Sequence, residues 1–267
     1  MSSIEGFFKS LLLDVVGGQF IEGDDDISAE LLLSQNGPDG ARAFALYAEK
    51  REVPDSKKDW PRIAVIVGGL GISASGTADA VAQLPPPVTL ALAPYGVELE
   101  KLAAQARAQK HEVLLQVPME PFDYPDNDPG PQTLLTSLSA DQNIDRLQWL
   151  MSRFQGYVGM LNYMGGKFTA GESSLSPVLR ESAKRGLIYV DDGASTRSIA
   201  SQLAGSQNLP FAKTDIVIDA VPTPTEIDQA LGFPENAKEL LPVGRRLRAQ
   251  HAVRDLHRRR EVRLDSV

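Results

Sequence analysis

The residues able to do chemistry sit where apolar runs give way to turns. Gly68-Gly69 follow Ile63 to Val67, and Gln116 with Glu120 flank the end of Glu112 to Val117. Asn162 and Tyr163 follow Tyr157 to Leu161, Asp191 and Asp192 follow Leu187 to Val190, and Asp219 follows Ile216 to Ile218. In a parallel α/β protein the carboxyl ends of the strands converge on one face. These positions then predict a polar mouth rich in carboxylates, with Phe122, Tyr124 and Tyr163 beside it. Acids accept hydroxyl hydrogens and rings cover apolar faces, which suits a neutral polyhydroxylated ligand such as a sugar. Asp191 or Asp192 is the candidate general base if bonds are broken there. The same residues also make turns: Asp-Asp-Gly is turn chemistry, Asn162 suits a backbone cap, and Asp219 an ordinary structural hydrogen bond.

Other chemistries are poorly supplied. Zinc takes nitrogen or sulfur ligands, and the histidines are only His111, His251 and His257. His111 precedes a strand, so it belongs at the end opposite the mouth. His251 and His257 lie in the basic tail, six residues apart, which is not a helical ligand spacing. There is no G-x-S-x-G elbow, and Ser195 and Ser198 read as turn and helix-start residues. Gly69-Leu70-Gly71-Ile72-Ser73-Ala74 fits a dinucleotide fingerprint in form, but the next strand ends in Leu92-Ala93-Pro94-Tyr95, without the ribose-binding acid. A dinucleotide enzyme is therefore the weaker alternative.

The elements that position these residues alternate. The strands named above, with Val88 to Leu92, are separated by helices over Gly76 to Leu84, Val97 to Gln109, Ser139 to Phe154, Ser173 to Arg185 and Ser198 to Ala204. Ser139 and Gln142 have capping-box spacing, and Gly186 suits a left-handed helix end. Strands alternating with helices, with no hairpin signal, argue for a parallel α/β fold, as an open sheet or a barrel. Residues 1–59 read as an arm or linker, partly disordered, 60–231 as the α/β domain, and 232–267 as an atypical tail. Phe7 to Phe20 is apolar in patches, but Lys9 and Asp14 interrupt it, and no run spans a bilayer. A net charge of −8 argues against nucleic acid. The absence of cysteine removes disulfides and thiolate chemistry. From Gly244 onward eight arginines face three acids, a solvated tail or a thin amphipathic helix carrying Leu247, Val253 and Leu256.

Taken together, RIAVIVGGLGIS, VTLALAPYGVELEKLAAQARAQKHEVLLQVPMEPFDYPDNDPGPQTLL, GMLNYMGGKFTA, RGLIYVDDGAS and DIVIDAVPT resemble the divergent polysaccharide deacetylase family over roughly residues 60–231. The resemblance implies a distorted (β/α) barrel of the polysaccharide deacetylase type with mostly parallel strands, carbohydrate metabolism and a periplasmic or cell-envelope setting. Family members typically carry an amino-terminal membrane anchor, for which this sequence shows no signal. Members with a metal site, such as zinc, read Asp-Asp where this chain has Gly68-Gly69. They read Leu-His-Leu-Pro-Met-Glu where it has Leu115-Gln116-Val117-Pro118-Met119-Glu120, and Asn-His-Met-Gly where it has Asn162-Tyr163-Met164-Gly165. The acid pair and both histidines are replaced, while Glu120, Asn162, Asp191 and Asp192 remain. The expectation is a protein without metal or other cofactor that binds glycan through Gly68, Gly69, Gln116, Glu120, Tyr124, Asn162 and Tyr163. The alternative is an active carbohydrate hydrolase, a deacetylase using Asp191 and Asp192. The family continues with further strands where this chain turns Arg-rich. A frameshifted or truncated terminus would produce that change and leave an exposed sheet edge.

Overall fold

The computed structural model describes residues 42–49, 63–223, 225–227 and 245–249. The leader up to residue 41, the tail histidines His251 and His257, and Val253 and Leu256 of the expected basic helix lie outside the described residues. The strands are β1 (Ile63–Leu70), β2 (Thr89–Leu92), β3 (Val113–Met119), β4 (Gly159–Met164), β5 (Ile188–Asp191), β6 (Phe211–Lys213), β7 (Ile216–Val217) and β8 (Arg245–Ala249). The helices are α1 (Ala43–Leu46), α2 (Ala74–Gln83), α3 (Leu99–Ala108), α4 (Ala140–Met151), α5 (Glu172–Lys184) and α6 (Ala200–Ser206).

All neighbouring strands pair in parallel, in the order β6-β5-β4-β3-β2-β1-β8-β7. The two edges of this sheet, β6 and β7, are also consecutive along the chain. Lys213 and Ile216 are joined by three Cα steps, which reach at most about 11 Å. The sheet must therefore curl until its edges nearly meet. This is a distorted (β/α) barrel, closed by the chain rather than by hydrogen bonds between β6 and β7.

Two strands carry no apolar signal in the sequence. β6 is only three residues long. β8 (RRLRA) lies in the stretch expected as tail, yet its backbone pairs with β1 from Ile63↔Arg245 to Val67↔Ala249 and with β7 at Ile216↔Leu247 and Val217↔Arg248. β8 thus covers the side of β1 away from β2.

Strand parity divides the core in two. On β3, Val113, Leu115, Val117 and Met119 face outward against the helices. There they meet Ala103 and Ala106 of α3, Leu147, Leu150 and Met151 of α4, and Leu175, Val178 and Leu179 of α5. The inner face is smaller: Ile66, Ala91, Leu114, Leu161 and Val190 supply one apolar layer, with Val158 beside them. Phe44 and Tyr47 pack against that layer, and the Phe44 N–H donates to Gly186 O at 2.8 Å. Residues 42–49, expected as part of an arm, thus seal the amino end of the barrel. Glu49 adds an ion pair with Arg107 at 3.3 Å.

Local signals hold where they are strong. Ser139 Oγ accepts from Gln142 N–H at 3.2 Å and Gln142 Oε1 accepts from Ser139 N–H at 3.0 Å, completing the capping box that starts α4. Gly186 follows α5 at φ +65°. His111 sits at the amino end of β3, its Nδ1 2.8 Å from Val88 O, away from the mouth as its place before the strand requires.

Candidate functional site

The inner-face parity that buries Leu114 and Leu161 continues one step toward the carboxyl end to Gln116 and Tyr163. Register places Gln116 beside Leu161 and Pro118 beside Tyr163. Both side chains line the mouth above the apolar layer. On β1 the ladder slips between Val67 and Leu70, three residues of β1 advancing against two of β2. Gly68 and Gly69 form this bulge, and Gly69 takes φ +74°, a left-handed conformation that favours glycine. A Cβ built on Gly69 would meet nothing within 4 Å, so the bulge borders open space. Its N–H donates to Gln116 Oε1 at 2.6 Å, tying the end of β1 to β3.

That space is a pocket of about 390 Å³ lined by Gly69, Ile72, Ser73, Ala93, Pro94, Tyr95, Gln116, Pro118, Pro129 and Tyr163. Ser73 is the N-cap of α2, its Oγ accepting from Gly76 N–H at 3.2 Å. The Tyr95 hydroxyl donates to Pro131 O at 2.5 Å, and its ring lies where a Cβ on Gly130 would fall. Burial first, then Asp128 and Tyr163, push the Tyr95 phenol well above its ordinary value. The walls are rings and prolines, and no aspartate or glutamate lines them.

The expected acids are elsewhere, for reasons of parity and turn geometry. Asp191 shares the outward parity of Tyr189. Its Oδ1 accepts from Gly193 N–H at 2.8 Å and its Oδ2 from the Ser198 hydroxyl at 2.5 Å. Asp192 Oδ1 accepts from Ala194 N–H at 2.9 Å. Asn162 faces outward between them. Its Nδ2 donates to Met164 O at 2.8 Å, and its Oδ1 accepts from Asp192 N–H at 3.0 Å and the Tyr189 hydroxyl at 3.3 Å. Burial, then the charges of Asp191 and Asp192, push the Tyr189 phenol well above its ordinary value, so it remains a donor.

Glu120 is buried and bridges two loops. Its Oε2 accepts from the N–H and hydroxyl of Thr136 at 2.5 and 2.6 Å, and its Oε1 pairs with Lys167 Nζ at 2.7 Å. Burial pushes this carboxyl up, but Lys167 and Thr136 outweigh it and hold it below its ordinary value. Tyr124 lies half-buried on the loop after β3 and is not part of the pocket wall. Phe122 is exposed, with the Arg197 guanidinium 5.3 Å from its ring centre.

The structure therefore brings Gly69, Gln116 and Tyr163 together, with Gly68 in the bulge beside them. It does not bring Glu120, Tyr124, Asn162, Asp191 or Asp192 to the same wall. Sequence reasoning missed Ser73, Pro94, Tyr95 and Pro129. The signal for Tyr95 was its place three residues after the second strand, on the turn that enters the mouth. The fingerprint glycine Gly71 spends its N–H on Thr77 Oγ1 at 2.8 Å, within its own loop.

A divalent cation needs several converging anionic or imidazole donors. Among the described residues no group of three or more His, Asp or Glu is close enough to share one. At the mouth the donors are an amide oxygen already engaged by Gly69, peptide carbonyls and phenols. This set does not fit zinc. Among the described residues no helix is long and apolar enough to cross a membrane.

A model of the divergent polysaccharide deacetylase family matches residues 65–236. An uncharacterized protein of Haemophilus influenzae is 22% identical over 158 residues, covering 59% of this chain and 55% of its own length. The uncharacterized protein YibQ of Escherichia coli K12 is 21% identical over 158 residues, covering 59% and 49%. The chain thus spans about half the length of these curated relatives. The crystal structure of an uncharacterized protein from Agrobacterium tumefaciens C58 superposes with a TM-score of 0.79 at 36% identity, covering 85% of this chain and 91% of that one.

Proposed function

Starting from a chain that belongs to the divergent polysaccharide deacetylase family, we propose that it binds glycan in the cell envelope and has lost the metal site of a deacetylase. The observation that carries this reading is the pocket at the carboxyl end of β1 to β4. Its two tyrosines and three prolines offer flat apolar faces to a sugar ring, and its volume of about 390 Å³ suits one or two sugar rings. Support for the lost metal site comes from the residue types at the mouth. Gly68, Gly69, Gln116 and Tyr163 supply no anionic or imidazole ligand, and Gln116 is held by a backbone N–H that a cation would repel.

The rival reading, hydrolysis with Asp191 or Asp192 as base, requires a carboxylate free to take a proton from water. Both oxygens of Asp191 and one of Asp192 already accept hydrogen bonds from the turn that follows β5. Calorimetric titration with neutral and acidic oligosaccharides, metal analysis of the purified protein and assay of acetate release from acetylated oligosaccharides test the proposal together. Binding without turnover, and no stoichiometric metal, is expected. Acetate release abolished by Asp191→Asn, in a variant that still folds, would overturn it.

A further inference from the structure

Gln116 is the one polar residue of β3 (VLLQVPM), and the fold is the less stable for holding it there. The Gly69 N–H can only donate, so the amide oxygen of Gln116 faces it at 2.6 Å and the NH2 turns the other way. Gln116 is 3% exposed, and its NH2 is sealed from solvent with no acceptor among the described residues. Buried amide donors are nearly always satisfied, and one that is not destabilises the protein. An apolar side chain of the same length would fill this position without that loss. The amide is explained by its oxygen.

What the oxygen holds is the part of the pocket wall least able to keep its own shape. Gly68 and Gly69 leave the ladder where β1 slips against β2, and two glycines in succession accept many backbone conformations. Gly69 is exposed, lines the pocket at φ +74°, and leaves open the space that a Cβ would enter. Its N–H reaches past β2 to β3, a strand buried at all seven residues and paired on both sides. β3 is the anchor, and the bulge is what it anchors.

We propose that Gln116 is a positioning residue for the ligand. Its amide oxygen holds the Gly68–Gly69 bulge in the left-handed conformation that keeps the pocket open, and the ligand does not touch its NH2. This rests on the glycan reading above. The sealed NH2 follows from that role, because an amide that turns its oxygen to Gly69 carries the NH2 with it. Released from Gln116, the bulge samples conformations in which Gly69 no longer borders the pocket. The sugar then binds only the fraction of molecules that keep the wall, and its apparent affinity falls by that fraction.

The test measures three quantities on the full chain: the urea midpoint, hydrogen exchange at the Gly69 amide, and calorimetric titration with neutral tetrasaccharides of glucose and of N-acetylglucosamine. Gln116→Met keeps the volume, removes the sealed donor and leaves the exposed Gly69 N–H to water. Its urea midpoint is expected to stay level or rise, while Gly69 exchange quickens and affinity falls, each about tenfold, the equivalent of one net hydrogen bond. Gln116→Glu keeps an oxygen facing Gly69 but buries a second one without a partner. Its midpoint is expected to fall, while most of the affinity and of the Gly69 protection lost in Gln116→Met is recovered. This crossed pattern separates positioning from a merely structural role, which would move stability and affinity together in both variants. Stability and affinity falling together in both, Gly69 exchange unchanged in Gln116→Met, or affinity retained in that folded variant each overturns the positioning role and leaves glycan binding standing. Failure of the wild type to bind either tetrasaccharide overturns both.

Discussion

The two halves of the barrel mouth start from the same kind of sequence and end differently. Over β4 and β5, the polar side chains Asn162, Asp191 and Asp192 are buried and bound into the turns that follow their strands. Over β1 to β4, Gly69, Gln116 and Tyr163 border open volume, and one amide remains unspent. The boundary falls between adjacent residues of one strand, with Asn162 facing the helices and Tyr163 facing the pocket. A polar residue at a strand end is therefore not yet a site residue. Parity decides which wall it joins, and the hydrogen-bonding appetite of the next turn decides whether it has anything left to offer.

The largest expected effects lie in the tied half. Gly193 has φ +73°, and a Cβ there would stand 2.5 Å from Thr214 O, a backbone atom. Gly193→Ala is expected to cost about 4 kcal/mol of stability in urea denaturation. Asn162→Ala strands Asp192 N–H without its acceptor and leaves the Tyr189 hydroxyl only Met119 Sδ at 3.8 Å, and should cost about 3 kcal/mol. Unchanged stability with collapsed glycan affinity in the folded Asn162→Ala protein would break the comparison, because it would make this half the binding half.

Glu120→Gln removes an ion pair and weakens two acceptors, with an expected loss of about 2 kcal/mol at neutral pH. The folded-state value of this carboxyl lies below its ordinary 4.5. Its stabilisation is therefore complete above the ordinary value and is lost as pH falls through the lowered one. The difference in stability between wild type and Glu120→Gln should shrink on acidification from pH 6 to pH 3. A difference that stays constant would show that the carboxyl does not titrate in that window.

Most of the fold was legible. The strand–helix alternation, the capping box at Ser139 and the turn glycine Gly186 all express local physics, which a sequence carries openly. β6 and β8 were not, because the first is three residues long and RRLRA has no apolar alternation; their pairing is set by neighbours distant in the chain. At the mouth, Gly69, Gln116 and Tyr163 were legible as strand-end residues departing from the family's ligands. The roles of Glu120 and Asp191 were not. Their partners, Lys167, Thr136 and Ser198, come from turns whose course no local pattern reveals. Tyr95 was hidden for the opposite reason, since a tyrosine after a strand is an ordinary core residue until a pocket opens beside it.

The smallest effect on stability sharpens the comparison most. Gly69 and Gly193 have nearly the same backbone, φ +74° and +73°, so an alanine at either meets the same left-handed strain of about 1 kcal/mol. Only their surroundings differ, since nothing stands within 4 Å of a Cβ on Gly69. Gly69→Ala should therefore lose only about that 1 kcal/mol while Gly193→Ala loses several times more. The new methyl enters the pocket, so glycan affinity should fall in Gly69→Ala although the fold is nearly untouched. Equal losses of stability in the two variants would mean that the bulge is packed as tightly as the turn after β5. An unchanged affinity in Gly69→Ala would mean that the ligand does not use the space the bulge leaves open.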